Sequence, residues 1–304
     1  MTSGGPHRMT EPLFSFVHVA DTHLAESCDV VTPFVDAINT ERFHARPDFV
    51  VFGGDNIGGS ARDGAVCARQ MPMLKERLSR LAVPFDILCH NHDTWGEACR
   101  GTQYRHCFGE SFDSTRELPH DFVAITVSGK YERDGTLIRG LIDRVPWLEQ
   151  TLSRFTDKYV LLFAHLPLFP PRQPVPRERE SMLKNPGGGW QAYRYGLQPD
   201  VSAPVRAAIA RHGNVLVHYS GHCHVHSRRE SEATWYVTTG ALATQPWEYR
   251  HVTVFANRME HRCICPHEVR GGTGFWTNCL DTDHPSVSLY HDGLPEERDF
   301  ALCY

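Results

Sequence analysis

Two short segments of the sequence place metal-binding side chains two residues apart. The segment DTH carries Asp21 and His23, and the segment GHCH carries His222 and His224 on either side of Cys223. Side chains at positions i and i+2 point to the same side of an extended chain, so each pair can reach one cation. Carboxylate oxygens and imidazole nitrogens are both ligands of divalent metals. The spacing therefore predicts two parts of a metal site.

Three further residues would complete such a site. In GGDN, two glycines precede Asp55, and glycine lets the backbone turn sharply and approach a ligand closely. Asn91 offers an amide oxygen, and His165 in FAHLP offers another imidazole. The whole set contains no thiolate and is large enough for two ions completed by water, which suits Mn, Fe, Zn or Co rather than a closed structural zinc site. Its members are Asp21, His23, Asp55, Asn91, His165, His222 and His224.

The segment ILCHNHDTWG raises the question of a nucleophile. From His90 to Asp93 it presents two imidazoles, an amide and a carboxylate, but no hydroxyl or thiol. One interpretation is an ordinary polar loop after a strand, in which the histidines are simply hydrogen-bonded. The other is a hydrolytic site in which a metal-bound water, with its pKa lowered toward about 7, replaces a side-chain nucleophile.

Five short apolar runs end at these polar residues. Their length and their β-branched and aromatic content predict buried strands, and the segments between them predict helices over about 33–45, 64–81, 146–155 and 201–211. This alternation predicts an α/β or layered αββα architecture, in which ligands gather at the carboxyl ends of the strands. The runs are LFSFVHVA before Asp21, PDFVVFGG before Asp55, PFDILC before His90, KYVLLFA before His165 and NVLVHYS before Gly221 and His222.

Length and composition narrow the class of protein. A chain of 304 residues with 41% hydrophobic residues fits one large α/β domain with elaborated loops, or two smaller domains. A net charge of -5 argues against a nucleic-acid-binding protein, which needs a concentrated basic face. Ten cysteines without a CxxC pair favour reduced thiols, and no segment resembles a signal peptide or a membrane span. These features predict a cytoplasmic protein without a membrane span.

Two stretches show no clear periodicity. Residues 167–200 combine prolines, three consecutive glycines and aromatics, which predicts a long loop or cap over the site. Residues 257–304 are rich in Cys, His and acidic residues and have only weak strand signals. We therefore predict a catalytic domain over 11–256 and a C-terminal extension over 257–304 that packs on it. The extension could also pair two subunits in a homodimer.

The order of the motifs resembles that of the calcineurin-like metallophosphoesterase superfamily. The resemblance rests on DxH, GGDN, NHD, a single His and GHxH in this order, and it runs from about Phe14 to Leu242. Within the superfamily, the segments ADTHL, YRHCFG, VPWLEQTL and WYVTTGAL are most similar to class III cyclic nucleotide phosphodiesterases. The resemblance implies a four-layer αββα sandwich with a dinuclear metal site at the carboxyl ends of the strands.

The roles implied by this resemblance divide the ligands between two ions. His92 would approach the substrate phosphate and protonate the leaving oxygen or stabilise its charge, and either Asp93 or another nearby carboxylate could orient His92. The implied cofactors are two divalent or trivalent ions of Mn, Fe or Zn, with an Fe/Mn pair favoured. One ion would be held by Asp21, His23, Asp55 and His224, and the other by Asp55, Asn91, His165 and His222, with Asp55 as the bridge.

A charge count indicates that such a site attracts a small-molecule phosphate ester. Two divalent ions bring about +4, while Asp21, Asp55 and a bridging hydroxide bring about -3, so that about +1 remains. Two metals can also polarise the phosphoryl oxygens and hold a hydroxide in line with the leaving group. The predicted function is hydrolysis of a phosphodiester such as a cyclic nucleotide. The alternatives are a phosphomonoesterase acting on a nucleotide or small metabolite and, in another class, a catalytically silent binding scaffold.

Several residues keep more than one interpretation. The superfamily pattern has glycine where this sequence has His90, and histidine tolerates positive φ poorly. Either the loop is shifted, or His90 contacts the substrate, or it is a surface or supporting histidine. Trp190, Tyr193 and Arg194 in GGGWQAYRYG could contact a base or an acyl group, or they could pack in the core. Cys263 in CICPH could belong to a zinc site, although the spacing favours ordinary thiols.

Overall fold

Twelve strands and seven α-helices are seen in the computed structural model, which describes residues 11–59, 64–94, 101–109, 111, 113–128, 141–169, 199–244, 247–266 and 293–304. The strands are β1 (Phe14–Val19), β2 (Phe49–Phe52), β3 (Phe85–Ile87), β4 (Ser114–Leu118), β5 (Phe122–Val127), β6 (Tyr159–Ala164), β7 (Val215–Ser220), β8 (Ser227–Ser231), β9 (Thr234–Thr238), β10 (Tyr249–Val254), β11 (Arg258–Ile264) and β12 (Phe300–Cys303). The helices are α1 (Val31–Asn39), α2 (Gly64–Leu78), α3 (Asn91–Thr94), α4 (Thr102–Phe108), α5 (Val145–Arg154), α6 (Pro199–His212) and α7 (Pro295–Arg298), and a 3₁₀ turn (Ile142–Arg144) precedes α5.

The strands form two six-stranded mixed sheets. The first has the order β12-β11-β10-β1-β2-β3, and the second has the order β4-β5-β6-β7-β9-β8. In the first sheet β1, β2 and β3 run parallel, and in the second β5, β6, β7 and β9 run parallel. The parallel strands are neighbours within each sheet, at one side of the first and in the middle of the second, so their carboxyl ends lie at a common end of the sheet where loops can meet.

Three apolar clusters show that the sheets and helices form four layers. Phe16 of β1 packs edge-on against Phe163 of β6 and Tyr219 of β7, with ring centroids 5.7 Å and 5.5 Å apart. These contacts belong to the cluster between the two sheets. A second cluster joins α1 and α2 to the outer face of the first sheet, and a third joins α5 and α6 to the outer face of the second. The αββα sandwich expected from the sequence is therefore confirmed.

The predicted strands and helices are present with some changes in their bounds. The five apolar runs form β1, β2, β3, β6 and β7. The largest error concerns α1, which was predicted to reach residue 45 but ends at Asn39. Glu41 has φ 53°, a left-handed conformation that cannot continue a right-handed helix. No helix in the described ranges is long and apolar enough to cross a membrane.

The strands after residue 256 extend the first sheet. β10 pairs with β11 from Tyr249 opposite Ile264 to Val254 opposite Met259, and β12 pairs with β11. The predicted boundary at 256/257 thus lies in the turn between two paired strands, and the two-part division of the chain stays a prediction. The predicted cap over 167–200 lies outside the described residues except at its two ends.

Candidate metal centre

The predicted ligands meet where the carboxyl ends of the parallel strands come together. Backbone hydrogen bonds join the loops, because Asp21 N–H donates to the Gly54 carbonyl at 3.0 Å and Gly221 N–H donates to the His165 carbonyl at 2.9 Å. The two sheets are connected as well, since the N–H of His222 donates to Asp21 Oδ2 at 2.8 Å. The site is therefore built from loops of both sheets.

Left-handed backbone is concentrated at this site. Non-glycine residues with positive φ are uncommon, cost on the order of 1–3 kcal/mol each and gather at functional sites. The pairs found by their i, i+2 spacing are therefore presented by tight turns rather than by the extended chain assumed from the sequence. The five residues concerned are Asp21 (φ 53°), His23 (φ 41°), Asp55 (φ 51°), His222 (φ 67°) and His224 (φ 56°).

The first group of ligand atoms comprises Asp21, His23 and His224. The Nε2 atoms of His23 and His224 lie 3.1 Å apart, and His224 Nε2 lies 3.3 Å from Asp21 Oδ1. His23 Nε2 lies 3.8 Å from the same oxygen. One carboxylate oxygen and two imidazole nitrogens thus lie close together, and they are three of the four residues that the resemblance implies for the first ion.

The second group is centred on His165. Its Nε2 lies 3.2 Å from His222 Nδ1 and 3.2 Å from Asp55 Oδ2. The other ring nitrogen, Nδ1, lies 2.7 Å from the Gly53 carbonyl and therefore donates its proton there. In the neutral ring, this tautomer leaves the lone pair of Nε2 directed at the site, an arrangement common among metal-binding histidines. His222 and His224 accordingly belong to different groups, although they are two residues apart.

Asp55 lies between the two groups. Its carboxylate forms one possible ligand set with Asp21 and His165, and another with His23 and His92. Its Oδ1 accepts a hydrogen bond from the N–H of His92 at 3.0 Å, while Oδ2 faces His165. This position fits the predicted bridging role, which itself stays a prediction.

The distances between the donor atoms are those expected for ligands of metal ions. Ligands bound at about 2.0–2.2 Å to one ion lie about 3 Å from each other, close to the 3.1–3.3 Å separations between the nitrogens and oxygens of the two groups. Asp21 Oδ1 is buried and has no hydrogen-bond partner among the described residues. A buried carboxylate oxygen without a partner is costly, and a cation would stabilise it.

The charges of the buried groups are coupled. Burial alone would raise the pKa of Asp21, but the imidazoles of His224 and His165 outweigh it and hold that pKa at about 2. Burial would lower the pKa of His165, yet the carboxylates of Asp55 and Asp21 raise it to about 9. For His23, burial followed by the neighbouring His92 and His224 lowers the pKa to about 3. The carboxylates of Asp21 and Asp55 are therefore ionised at neutral pH, and they stabilise positive charge in the site.

His92 lies at the edge of both groups. Its Nδ1 lies 2.5 Å from the Gly58 carbonyl and donates a proton to it, which sets the orientation of the ring. Its Nε2 lies 3.9 Å from Asp55 Oδ2, and its ring meets the His23 ring edge-on at 4.5 Å. The His92 side chain is 18% exposed to solvent, whereas the Asp55 side chain is 3% exposed. His92 can therefore meet a ligand that arrives from solvent.

Asp93 has a different environment from the one predicted. Its Oδ1 accepts hydrogen bonds from the N–H groups of Asn56 and Ile57 at 2.9 and 3.3 Å. Its Oδ2 accepts from Asn56 Nδ2 and from the N–H of His90, both at 3.0 Å. The predicted orientation of His92 by Asp93 is thus corrected: the Gly58 carbonyl orients the ring, whereas Asp93 joins the loop after β2 to the turn after β3. Asn56, which also donates to the Leu88 carbonyl at 2.7 Å, is a site residue that the sequence analysis missed.

Replacing Asp93 by asparagine should weaken the hydrogen bonds that join the loop after β2 to the turn after β3. Both carboxylate oxygens face N–H donors, so an amide would place its own NH₂ group against one of them. A buried donor left without an acceptor costs about 1–3 kcal/mol. We expect the free energy of unfolding of the metal-free protein to fall by that amount in Asp93→Asn, as measured by urea denaturation. The control is Asp36→Asn, whose carboxylate is 54% exposed and should change little; equal stability of the two variants would contradict this role.

His90 and Asn91 are joined to each other. His90 Nδ1 lies 2.6 Å from Asn91 Oδ1, and the His90 ring lies 4.3 Å from the His165 ring. His90 is not among the residues with positive φ, so this position does not need glycine. It is only 2% exposed, which excludes a surface location. The other predicted substrate contacts, Trp190, Tyr193 and Arg194, lie outside the described residues.

The chain is similar to several known proteins. A probable glycerophosphodiester phosphodiesterase of Arcobacter nitrofigilis is 27% identical over 162 residues, which represent 50% of this chain and 56% of that protein. This chain thus spans about half the length of that relative. A dimetal phosphatase from Danio rerio superimposes with a TM-score of 0.61 at 17% identity, covering 85% of this chain and 98% of the other. GAP50, the anchor in the inner membrane complex of Plasmodium, gives 0.52 at 11% identity, covering 85% and 86%.

At these identities the two solved structures show the shared fold alone. The family described as calcineurin-like phosphoesterase matches the sequence itself, over residues 14–226. The matched range includes all seven predicted ligands as well as His92. By this match, which covers more than half of its length, the chain belongs to the calcineurin-like phosphoesterase family.

Proposed function

We propose that this chain is a dinuclear metal-dependent phosphodiesterase that acts on a small phosphodiester, such as a cyclic nucleotide or a glycerophosphodiester. The observation that carries the proposal is the convergence of two groups of ligand atoms on either side of Asp55, with His92 at their edge. Membership of the family supports phosphoester hydrolysis. The Arcobacter relative, a probable glycerophosphodiester phosphodiesterase, favours a diester.

The proposed metal ligands are the seven residues predicted from the sequence. Bound there, two ions of Mn, Fe or Zn would supply Lewis acidity toward the phosphoryl oxygens and would lower the pKa of water toward about 7. The proton that raises the charge of His165 in the metal-free protein must leave when an ion binds, so that Asp21 and Asp55 then contribute two negative charges and the imidazoles none. Two buried carboxylates leave a pair of divalent ions undercompensated, so the site would attract an anion.

His92 is the residue that would assist departure of the leaving oxygen. His92 presents Nε2 toward the site while its Nδ1 proton is held by the Gly58 carbonyl. Burial lowers the pKa of His92, although the Asp55 carboxylate opposes this effect. An anionic phosphate beside Nε2 would favour the protonated ring, which could then donate a proton to the leaving oxygen. Such general acid help is worth about 10²- to 10⁴-fold in rate.

Charge would attract either kind of phosphate ester to the site. A phosphodiester carries one negative charge, whereas a monoester carries about 1.5 to 2 at neutral pH because its second pKa is near 6. A pair of divalent ions held by two carboxylates keeps positive charge, which attracts both esters. The preference for a diester therefore rests on the Arcobacter relative.

A substrate panel at fixed metal content tests this proposal. We expect bis-p-nitrophenyl phosphate, cyclic nucleotides and glycerophosphodiesters to give higher kcat/KM values than p-nitrophenyl phosphate, by about tenfold or more. Faster hydrolysis of p-nitrophenyl phosphate would identify a monoesterase instead. Protein with two bound ions that hydrolyses none of these esters would support the binding scaffold.

A further inference from the structure

His90 occupies a position that the seven predicted ligands leave unexplained. A ring nitrogen of His90 lies within 4.8 Å of ligand atoms of both His165 and His222. The His90 ring is 4.3 Å from that of His165 and 6.1 Å from that of His222, measured between centroids. Three buried imidazoles therefore surround the place proposed for the second ion.

The hydrogen bonds of His90 define which nitrogen is available. Nδ1 lies 2.6 Å from Asn91 Oδ1, and because an amide oxygen can only accept, Nδ1 carries the proton. The tautomer then leaves a lone pair on Nε2. This atom is buried and has no hydrogen-bond partner among the described residues.

We propose that His90 Nε2 is an additional ligand of the second metal site, beside His165 and His222. The inference rests on the proposed function, since it concerns the same pair of ions. A hydrogen bond from the second ring nitrogen to an oxygen is the usual support of a metal-binding histidine. Asn91 Oδ1 provides that support here, so in this proposal Asn91 supports His90 in place of the ligand role predicted for Asn91.

A simple packing role accounts less well for the same contacts. A buried imidazole nitrogen without a partner costs about 1–3 kcal/mol, which a cation would remove. Glycine, the residue usual at this position in the superfamily pattern, could offer neither the ligand nor the contact with Asn91. A third imidazole also changes the chemistry of the second site, because nitrogen ligands favour Zn, Fe or Co over Mg or Ca.

Cobalt binding to the metal-free protein tests the inference without reference to activity. We expect His90→Phe, which keeps a planar ring but has no nitrogen, to bind the second equivalent of Co²⁺ at least about tenfold more weakly. The visible absorption of that second ion should change, while the first equivalent binds as in the unchanged protein. His90→Gly, which removes the ring altogether, should give the same loss and covers the case in which phenylalanine does not fit.

Two controls separate failure of this inference from failure of the proposed function. His218→Phe replaces a buried histidine of β7 whose ring nitrogens have no partner among the described residues, and it should bind both ions normally. His165→Ala should lose the second ion. If the His90 variants bind both ions with unchanged affinity and spectrum while His165→Ala loses one, His90 is not a ligand. If the unchanged protein binds fewer than two ions, the dinuclear site itself is wrong.

Discussion

Replacing His92 by alanine is expected to reduce phosphodiester turnover by about 10²- to 10⁴-fold while two ions remain bound. The side chain faces the site through Nε2, but its Nδ1 proton is held by the Gly58 carbonyl rather than by a ligand of either group. The backbone N–H of residue 92, which donates to Asp55 Oδ1, is retained in the alanine variant. The loss should therefore fall on the chemical step and leave metal binding intact.

Metal content and kcat must be measured on the same preparation of His92→Ala. An ester whose leaving group needs no proton gives a further check. Hydrolysis of bis-p-nitrophenyl phosphate should suffer less than hydrolysis of an alkyl diester, because p-nitrophenolate is a good leaving group without general acid help. Normal turnover of both esters with two ions bound would remove His92 from the mechanism.

Replacing Asp55 by alanine should reduce the metal content more than replacing His92 by alanine does. Asp55 is 2% exposed and contributes ligand atoms on both sides of the site. Without it, the imidazoles of His165 and His23 lose the carboxylate that lies between them, and an added ion would meet less negative charge. We expect the metal content to fall from two ions per chain to one or none, and turnover to fall with it.

The control for this variant is Asp36→Ala. That carboxylate lies on α1 and is 54% exposed. It pairs with Arg80 at 3.0 Å rather than with a predicted metal ligand. Elemental analysis after dialysis against equal metal should give two ions per chain for Asp36→Ala and fewer for Asp55→Ala. Full two-ion occupancy in Asp55→Ala would contradict the bridge.

The candidate ligands could be predicted from sequence because each apolar run is followed within two residues by one of them. A buried strand such as β1 or β6 is recognisable by its apolar residues, and the residue that follows it must leave the sheet at a known edge. The spacing alone does not show which imidazole meets which carboxylate. His222 and His224 lie two residues apart, and only the resemblance to the superfamily implied that they serve different ions. In the structure, the left-handed turn places them in different groups, and this division depends on the packing of one sheet against the other.

The error about Asp93 arises from contacts that are distant in sequence. Asp93 was expected to orient its near neighbour His92, but its acceptors are satisfied by Asn56 and Ile57 from the loop after β2. The orientation of His92 comes from Gly58, 34 residues away in sequence. Backbone carbonyls have no signature in the sequence, so such partners are visible only once the loops are placed together.

Titration of the metal-free protein with Mn²⁺, with bound metal and phosphodiester turnover measured together, shows whether hydrolysis depends on two bound ions. We expect negligible turnover without metal and maximal turnover once two ions are bound per chain. Undiminished turnover in the metal-free protein, or protein with two bound ions that hydrolyses no phosphate ester, would contradict the proposed function.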